Sequence, residues 1–195
     1  MGQAASLARK DIELAVRCAI WAALMAVGAY IAIPIGPVPI TLQTFFIILC
    51  GFMEGPWAFF PALAYLVAGL IGLPVFAEGA AGPGILFGPT VGYALAFAPA
   101  AFVAGLAAKG GAKRIGGFLA FGALATLLIH GCGIAGIHLT LKLSWALSLY
   151  ADLPFLPGDA AKLLAAAFLA VSAARLRPAR EGPSGGGGQA PGADG

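Results

Sequence analysis

Charge is what this sequence has least of. Of its 195 residues, 11 are Lys or Arg and 8 are Asp or Glu, so one in ten is charged. Ordinary soluble chains carry about 25%. So few ions cannot cover a water-facing surface, which excludes a soluble globular domain as the body of the protein. Cysteine is also scarce: Cys18, Cys50 and Cys132 all lie in apolar runs, and none forms a Cys-x-x-Cys spacing. They read as small core residues, and no metal site is expected. The chain has no phosphate-binding loop ending in Gly-Lys-Ser or Gly-Lys-Thr, so it is not expected to hydrolyse ATP. An array of carboxylates inside the apolar runs, as a proton-coupled carrier would need, is missing too. No stretch interleaves basic and aromatic residues, and no nucleic-acid partner is expected.

What is abundant is apolar surface. The sequence is 61% hydrophobic, with a mean hydropathy of +0.95. A lipid bilayer is the solvent that suits it, and there the backbone must satisfy its own hydrogen bonds as helices or as a closed barrel. Long apolar runs without strict alternation argue for helices. A span needs roughly 20 residues. The expectation is therefore an all-α membrane protein, a bundle of six transmembrane helices over 12–33, 41–52, 57–73, 91–108, 115–139 and 160–176. The aromatic stretch 144–150 reads as an interfacial segment or a short extra helix. Residues 1–11 form an N-terminal segment, 12–176 the embedded domain, and the Gly/Pro-rich 177–195 a disordered tail. The first apolar run is too long for a signal peptide and lacks a clear cleavage site, so it is read as a retained helix.

The cations cluster. Arg9, Lys10 and Arg17 flank the first span, Lys109, Lys113 and Arg114 the fourth link, and Arg175, Arg177 and Arg180 the sixth span. With six spans these groups share one side, which the positive-inside rule makes cytoplasmic, together with both termini. Lys142 and Lys162 fall on the outer side; Lys142 reads as a snorkelling residue at a helix end.

Three helix-breaking stretches then meet on that outer side: Pro34-Ile-Gly-Pro-Val-Pro-Ile-Thr-Leu-Gln43, residues 73–93, and residues 153–162. Irregular backbone at membrane depth survives only when buried in protein or lining a cavity, so a pocket open outward is expected. Asp159 is placed at the N-cap of the last span, and Lys162, three residues on, shares its face. Such a pair could cap and snorkel, but ionisable groups within spans point first to function. Lys162 would offer a cation to a carboxylate, and Asp159 would accept from N–H donors. Gln43 reads equally as an interfacial polar residue and as a ligand contact. Thr90 and Tyr93 open the fourth span, Tyr93 with an apolar face and a hydroxyl. Phe76 and Phe87 could pack over a ligand or anchor their loop, while Glu78 reads as a solvated loop charge. His130 and His138, eight apart, share a helix face; a relay or ligand pair is conceivable, and hydrogen-bonded helix packing is the simpler reading. Trp145 and Tyr150 fit an interfacial belt. Ala15, Ala19 and Ala23 form a smooth strip for close helix contact, and Ala166, Ala170 and Ala174 form another.

Four motifs carry a resemblance. Pro39-Ile-Thr-Leu-Gln43, Gly72-Leu-Pro-Val-Phe76, Gly88-Pro-Thr-x-Gly-Tyr93 and Pro154-Phe-Leu-Pro-Gly-Asp-x-x-Lys162 resemble the BioY family, the biotin-specific S components of energy-coupling factor (ECF) vitamin transporters. Two positions, Glu78 and Val91, depart from the family pattern. The resemblance covers about residues 12–176. It implies a multi-pass protein of the bacterial cytoplasmic membrane that captures biotin from outside with high affinity and needs no cofactor. It implies a transmembrane T component and two ATP-binding-cassette ATPases as partners, the ATPases using the ATP. It implies biotin contacts from Asp159, Lys162, Gln43, Thr90, Tyr93, Phe76 and Phe87, a lid in loop 74–89, and docking of the T component on Ala15, Ala19 and Ala23. Other readings of the residues are a stand-alone secondary carrier or facilitator, a scaffold without ligand, or a site for another vitamin of similar size.

Overall fold

The computed structural model describes residues 2–109 and 115–176. Lys113, Arg114, Arg177, Arg180 and the tail 177–195 lie outside the described residues. The described residues are mostly helical: α1 (Gly2–Tyr30), a hairpin of two-residue strands β1 (Ala32–Ile33) and β2 (Ile40–Thr41), α2 (Gln43–Glu54), α3 (Phe59–Leu70), α4 (Val91–Lys109), α5 (Ile115–Leu141), α6 (Trp145–Asp152) and α7 (Phe155–Leu176). The strands pair antiparallel, Ala32 opposite Thr41. Five stretches are long and apolar enough to cross a membrane: Ser6–Tyr30, Gln43–Leu70, Val91–Lys109, Ile115–Leu141 and Phe155–Leu176.

The second of these is not one rod. A 3-10 turn, Gly55–Ala58, with Pro56 in its first turn, separates α2 from α3. The Gln43 amide at the start of α2 donates to the Tyr65 hydroxyl in the middle of α3, and a straight helix would hold residues 22 apart in sequence about 33 Å from each other. The stretch therefore folds back as two 12-residue helices, each about 18 Å long. Both lean on α1 and α4.

Two element boundaries differ from expectation. α1 runs from Gly2 to Tyr30, so 2–11 continues the first helix, while 32–33 leaves it to pair as a strand. α7 begins at Phe155, which places Asp159 in its second turn and not at its N-cap. In sequence the Pro157-Gly158 pair reads as a breaker. Proline is tolerated in a first turn because its missing N–H has no intrahelical acceptor there. The stretch expected to be interfacial is α6, capped by Ser144, whose side chain accepts from Leu147 N.

α4 and α5 pack closely along their seam. A Cβ added to Gly92 would sit 1.9 Å from the Cys132 carbonyl oxygen, a contact that only backbone movement could relieve. Gly92→Val is expected to lower the unfolding temperature in detergent by several degrees, the shift that about 2–3 kcal/mol of overpacking produces. An unchanged melting curve would show that the seam yields more easily than its spacing indicates.

A polar-floored cavity at one end of the bundle

The start of α2, the end of α3, the start of α4 and the start of α7 converge at one end of the bundle. Lys109 and Arg175 sit in the last turns of α4 and α7, at the opposite end. At the convergent end lies a cavity of about 390 Å³, within the range of small-molecule sites. Loop 34–41 supplies Pro37, Val38 and Pro39, and loop 74–90 supplies a second wall from Phe76 to Thr90. Helices supply Gln43, Thr44, Tyr93, Phe97, Phe155, Asp159 and Lys162.

Six of the seven side chains expected to meet a ligand line this one cavity: Gln43, Phe76, Thr90, Tyr93, Asp159 and Lys162. Phe87 does not; it is 83% exposed and lies outside the lining, on a 3-10 turn (Pro83–Phe87). Glu78 is exposed and also forms part of the rim, with a left-handed φ of 58°.

The floor is a compact polar cluster. Lys162 Nζ donates to Asp159 Oδ1 at 2.7 Å, to the Thr41 carbonyl at 2.6 Å and to Thr44 Oγ1 at 3.3 Å. The Thr44 hydroxyl in turn donates to Asp159 Oδ1 at 2.7 Å. Asp159 is 3% exposed and the Lys162 side chain 12%, so this is a largely buried ion pair, which is tolerable because added hydrogen bonds satisfy both partners. Gln43 is engaged as well. Thr41 Oγ1 donates to its Oε1 at 2.9 Å, its amide nitrogen donates to Tyr65, and Tyr65 donates to the Val75 carbonyl at 2.9 Å.

That chain pins the root of loop 74–90. The Tyr30 hydroxyl donates to the Pro74 carbonyl, and Gly82 N donates to Gly69 O at 2.7 Å. The buried Phe76 ring packs edge-on to Tyr65 with centroids 5.7 Å apart. It occupies the space that a side chain at residue 69 would need, since a Cβ on Gly69 would fall 2.0 Å from the ring. Phe76 thus anchors its loop and lines the cavity at once. The walls are otherwise mostly apolar, and Tyr93 and Phe155 meet at 5.8 Å.

Behind the floor lies a set of polar residues for which the sequence suggested no partners. His130 Nδ1 on α5 is 2.9 Å from Asp152 Oδ1 on α6, and the Tyr93 hydroxyl donates to the same oxygen at 2.6 Å. His130 and His138 do not act together. His138 Nδ1 is 2.6 Å from the Leu143 carbonyl, and its ring stacks on Trp145. Thr44, Tyr65 and Asp152 were not anticipated. Asp152 carried a usable signal, being an ionisable residue in an apolar membrane segment.

The two alanine strips part company. Ala166 and Ala170 are buried within the bundle and Ala174, near the end of α7, is exposed, whereas Ala15, Ala19 and Ala23 are all exposed on α1.

The chain is similar to known proteins along most of its length. It is 35% identical over 167 residues to the biotin transporter BioY of Thermotoga maritima, covering 85% of this chain and 98% of that one. It is 37% identical over 175 residues to the biotin transporter BioY of Rhodobacter capsulatus, covering 80% and 90%. A crystal structure of the S component for biotin from an ECF-type ABC transporter superposes with a TM-score of 0.80 at 26% identity, covering 87% of this chain and 94% of that chain. The BioY family model matches residues 3–179, and with the cavity and its four motifs in place the chain belongs to the BioY family of multi-pass membrane proteins.

Proposed function

We propose that this protein is the substrate-capture subunit of an ECF-type biotin importer and that the cavity at the Asp159–Lys162 end holds biotin. The observation that carries this is the buried pair itself: a carboxylate and an ammonium 2.7 Å apart on the floor of a cavity with apolar walls. Biotin has a neutral ureido group with N–H donors beside a C=O acceptor, an apolar body and a carboxylate on a flexible chain. An ion-paired Asp and Lys are together neutral, and they complement a neutral donor–acceptor group better than a lone anion. Asp159 accepts a ureido N–H, and Lys162 donates to the ureido oxygen. This revises the division of labour expected from sequence, in which Lys162 faced the carboxylate. Two groups in contact address one end of a ligand, and Asp159 would repel a carboxylate brought beside it. Phe76, Tyr93 and Phe155 flank the apolar body.

The six-helix arrangement follows from counting α2 and α3 as separate membrane-embedded helices. Both termini are cytoplasmic in this reading. Lys109 and Arg175 at the end away from the cavity support it through the positive-inside rule, and the cavity then opens outward. The protein performs no covalent chemistry. A transmembrane T component and two ABC-type ATPases supply the work of release.

The test is calorimetric titration of biotin into the detergent-purified protein, with competition by other vitamins of similar size. Saturable one-site binding is expected, and no heat or displacement at micromolar biotin would end the proposal. Uptake of biotin into vesicles holding this protein alone, without ATP, would favour a stand-alone carrier.

A further inference from the structure

The polar residues behind the floor run as one thread across four helices: Tyr93 on α4, Asp152 on α6, His130 on α5 and Asp159 on α7. Asp152 is 2% and His130 4% exposed. Burial of such groups is costly unless each is satisfied. His130 Nε2 is the one buried side-chain polar atom among the described residues without an aligned hydrogen bond. It nevertheless lies 3.2 Å from Asp159 Oδ2. Both ring nitrogens thus face carboxylates. An imidazole with a single N–H can satisfy one of them, so the second contact needs a second proton, on the ring or on a carboxyl. The opposite oxygen, Asp159 Oδ1, already accepts from Lys162 and Thr44. Oδ2 is therefore the atom left to meet a ligand donor, and its direction is set by whatever stands behind it.

We propose that His130 is a positioning residue that fixes the rotation of the Asp159 carboxylate, and through it the selectivity of the cavity for ligands bearing N–H donors. Asp152 orients the His130 ring, and the Tyr93 hydroxyl orients Asp152. A ligand N–H on Oδ2 shares that oxygen with His130 Nε2, so the thread registers occupancy of the cavity. The short helix α6 is joined to the site through Asp152 alone among these groups. The inference rests on biotin being the ligand.

The chain has two histidines, which makes the test direct. The full-length protein labelled with ¹⁵N-histidine is observed by NMR with and without saturating biotin. The ring-nitrogen resonances of His130 are expected to move, while those of His138, held by Leu143 and Trp145, stay in place. Asp152→Asn preserves the shape of Asp152 but not its charge. It is expected to shift the His130 resonances in the ligand-free protein. It should also narrow the preference for biotin over an analogue methylated on the ureido nitrogens by about tenfold, the effect of one misaligned buried hydrogen bond. His130→Gln, which retains a donor, should keep more of that preference than His130→Leu. If biotin binds but His130 does not move, or if Asp152→Asn and His130→Leu discriminate as the wild type does, the thread only packs helices and the inference falls. If the wild type does not bind biotin at all, it is the proposed function that fails.

Discussion

Asp159→Ala is expected to reduce biotin affinity by a factor between about 30 and several thousand, because truncating one member of a buried, hydrogen-bonded charge pair costs about 2–5 kcal/mol. Two losses combine. The ligand loses its acceptor, and Lys162 keeps a largely buried ammonium with only Thr41 O and Thr44 Oγ1 as acceptors. The second loss also acts on the fold, since an uncompensated buried charge destabilises by roughly 3–5 kcal/mol. Binding and stability can be separated. In Asp159→Ala combined with Lys162→Met, both charges are gone and an apolar side chain fills the gap, so the melting temperature should recover towards wild type. Biotin binding should not recover. Calorimetry on the single and double variants, beside their thermal unfolding curves, reads both quantities. Wild-type affinity in Asp159→Ala would remove this pair from the binding site. Parallel recovery of binding and stability in the double variant would mean that the pair only holds the fold.

The sequence showed the class of the fold and the end of the bundle where the cavity lies, for physical reasons. One charged residue in ten permits only a membrane solvent, and Pro/Gly stretches at span ends mark backbone that must line something. Gln43, Thr90, Tyr93, Asp159 and Lys162 were legible because each stands at the edge of an apolar run beside such a stretch. What lay behind them was not. The Thr44–Asp159 hydrogen bond joins residues 115 apart, and no periodicity announces a partner at that distance. The loop phenylalanines show the same limit. Phe76 and Phe87 are equivalent by composition, yet one is seated on Gly69 and the other points away, a choice made by tertiary packing. The sequence places the start of α7 late because a proline followed by glycine reads as a stop. Its position within a first turn becomes visible only once the helix is seen.

The two alanine strips are also indistinguishable in sequence, and their burial separates them in a way that yields a second large effect. On α1, Arg17 and Trp21 form one face, and both reach Glu54 at the end of α2, at 3.1 and 3.0 Å. Ala15, Ala19 and Ala23 lie roughly 160° around the same helix from that face and are exposed. A strip that smooth, left uncovered, suits the close approach of a second membrane helix. Ala19→Trp should therefore leave the fold and biotin binding of the isolated protein intact, because the indole projects into lipid. The same change should abolish co-purification with the T component and ATP-driven biotin uptake, since a bulky ring holds two helix backbones apart. Ala170→Trp is the contrasting case. Ala170 is buried, so the ring has nowhere to go and the bundle itself should unfold or fail to accumulate. The measurements are biotin calorimetry, pull-down of the T component and vesicle uptake, run on the same preparations. A complex that assembles and transports normally with Trp at residue 19 would show that the partner docks elsewhere.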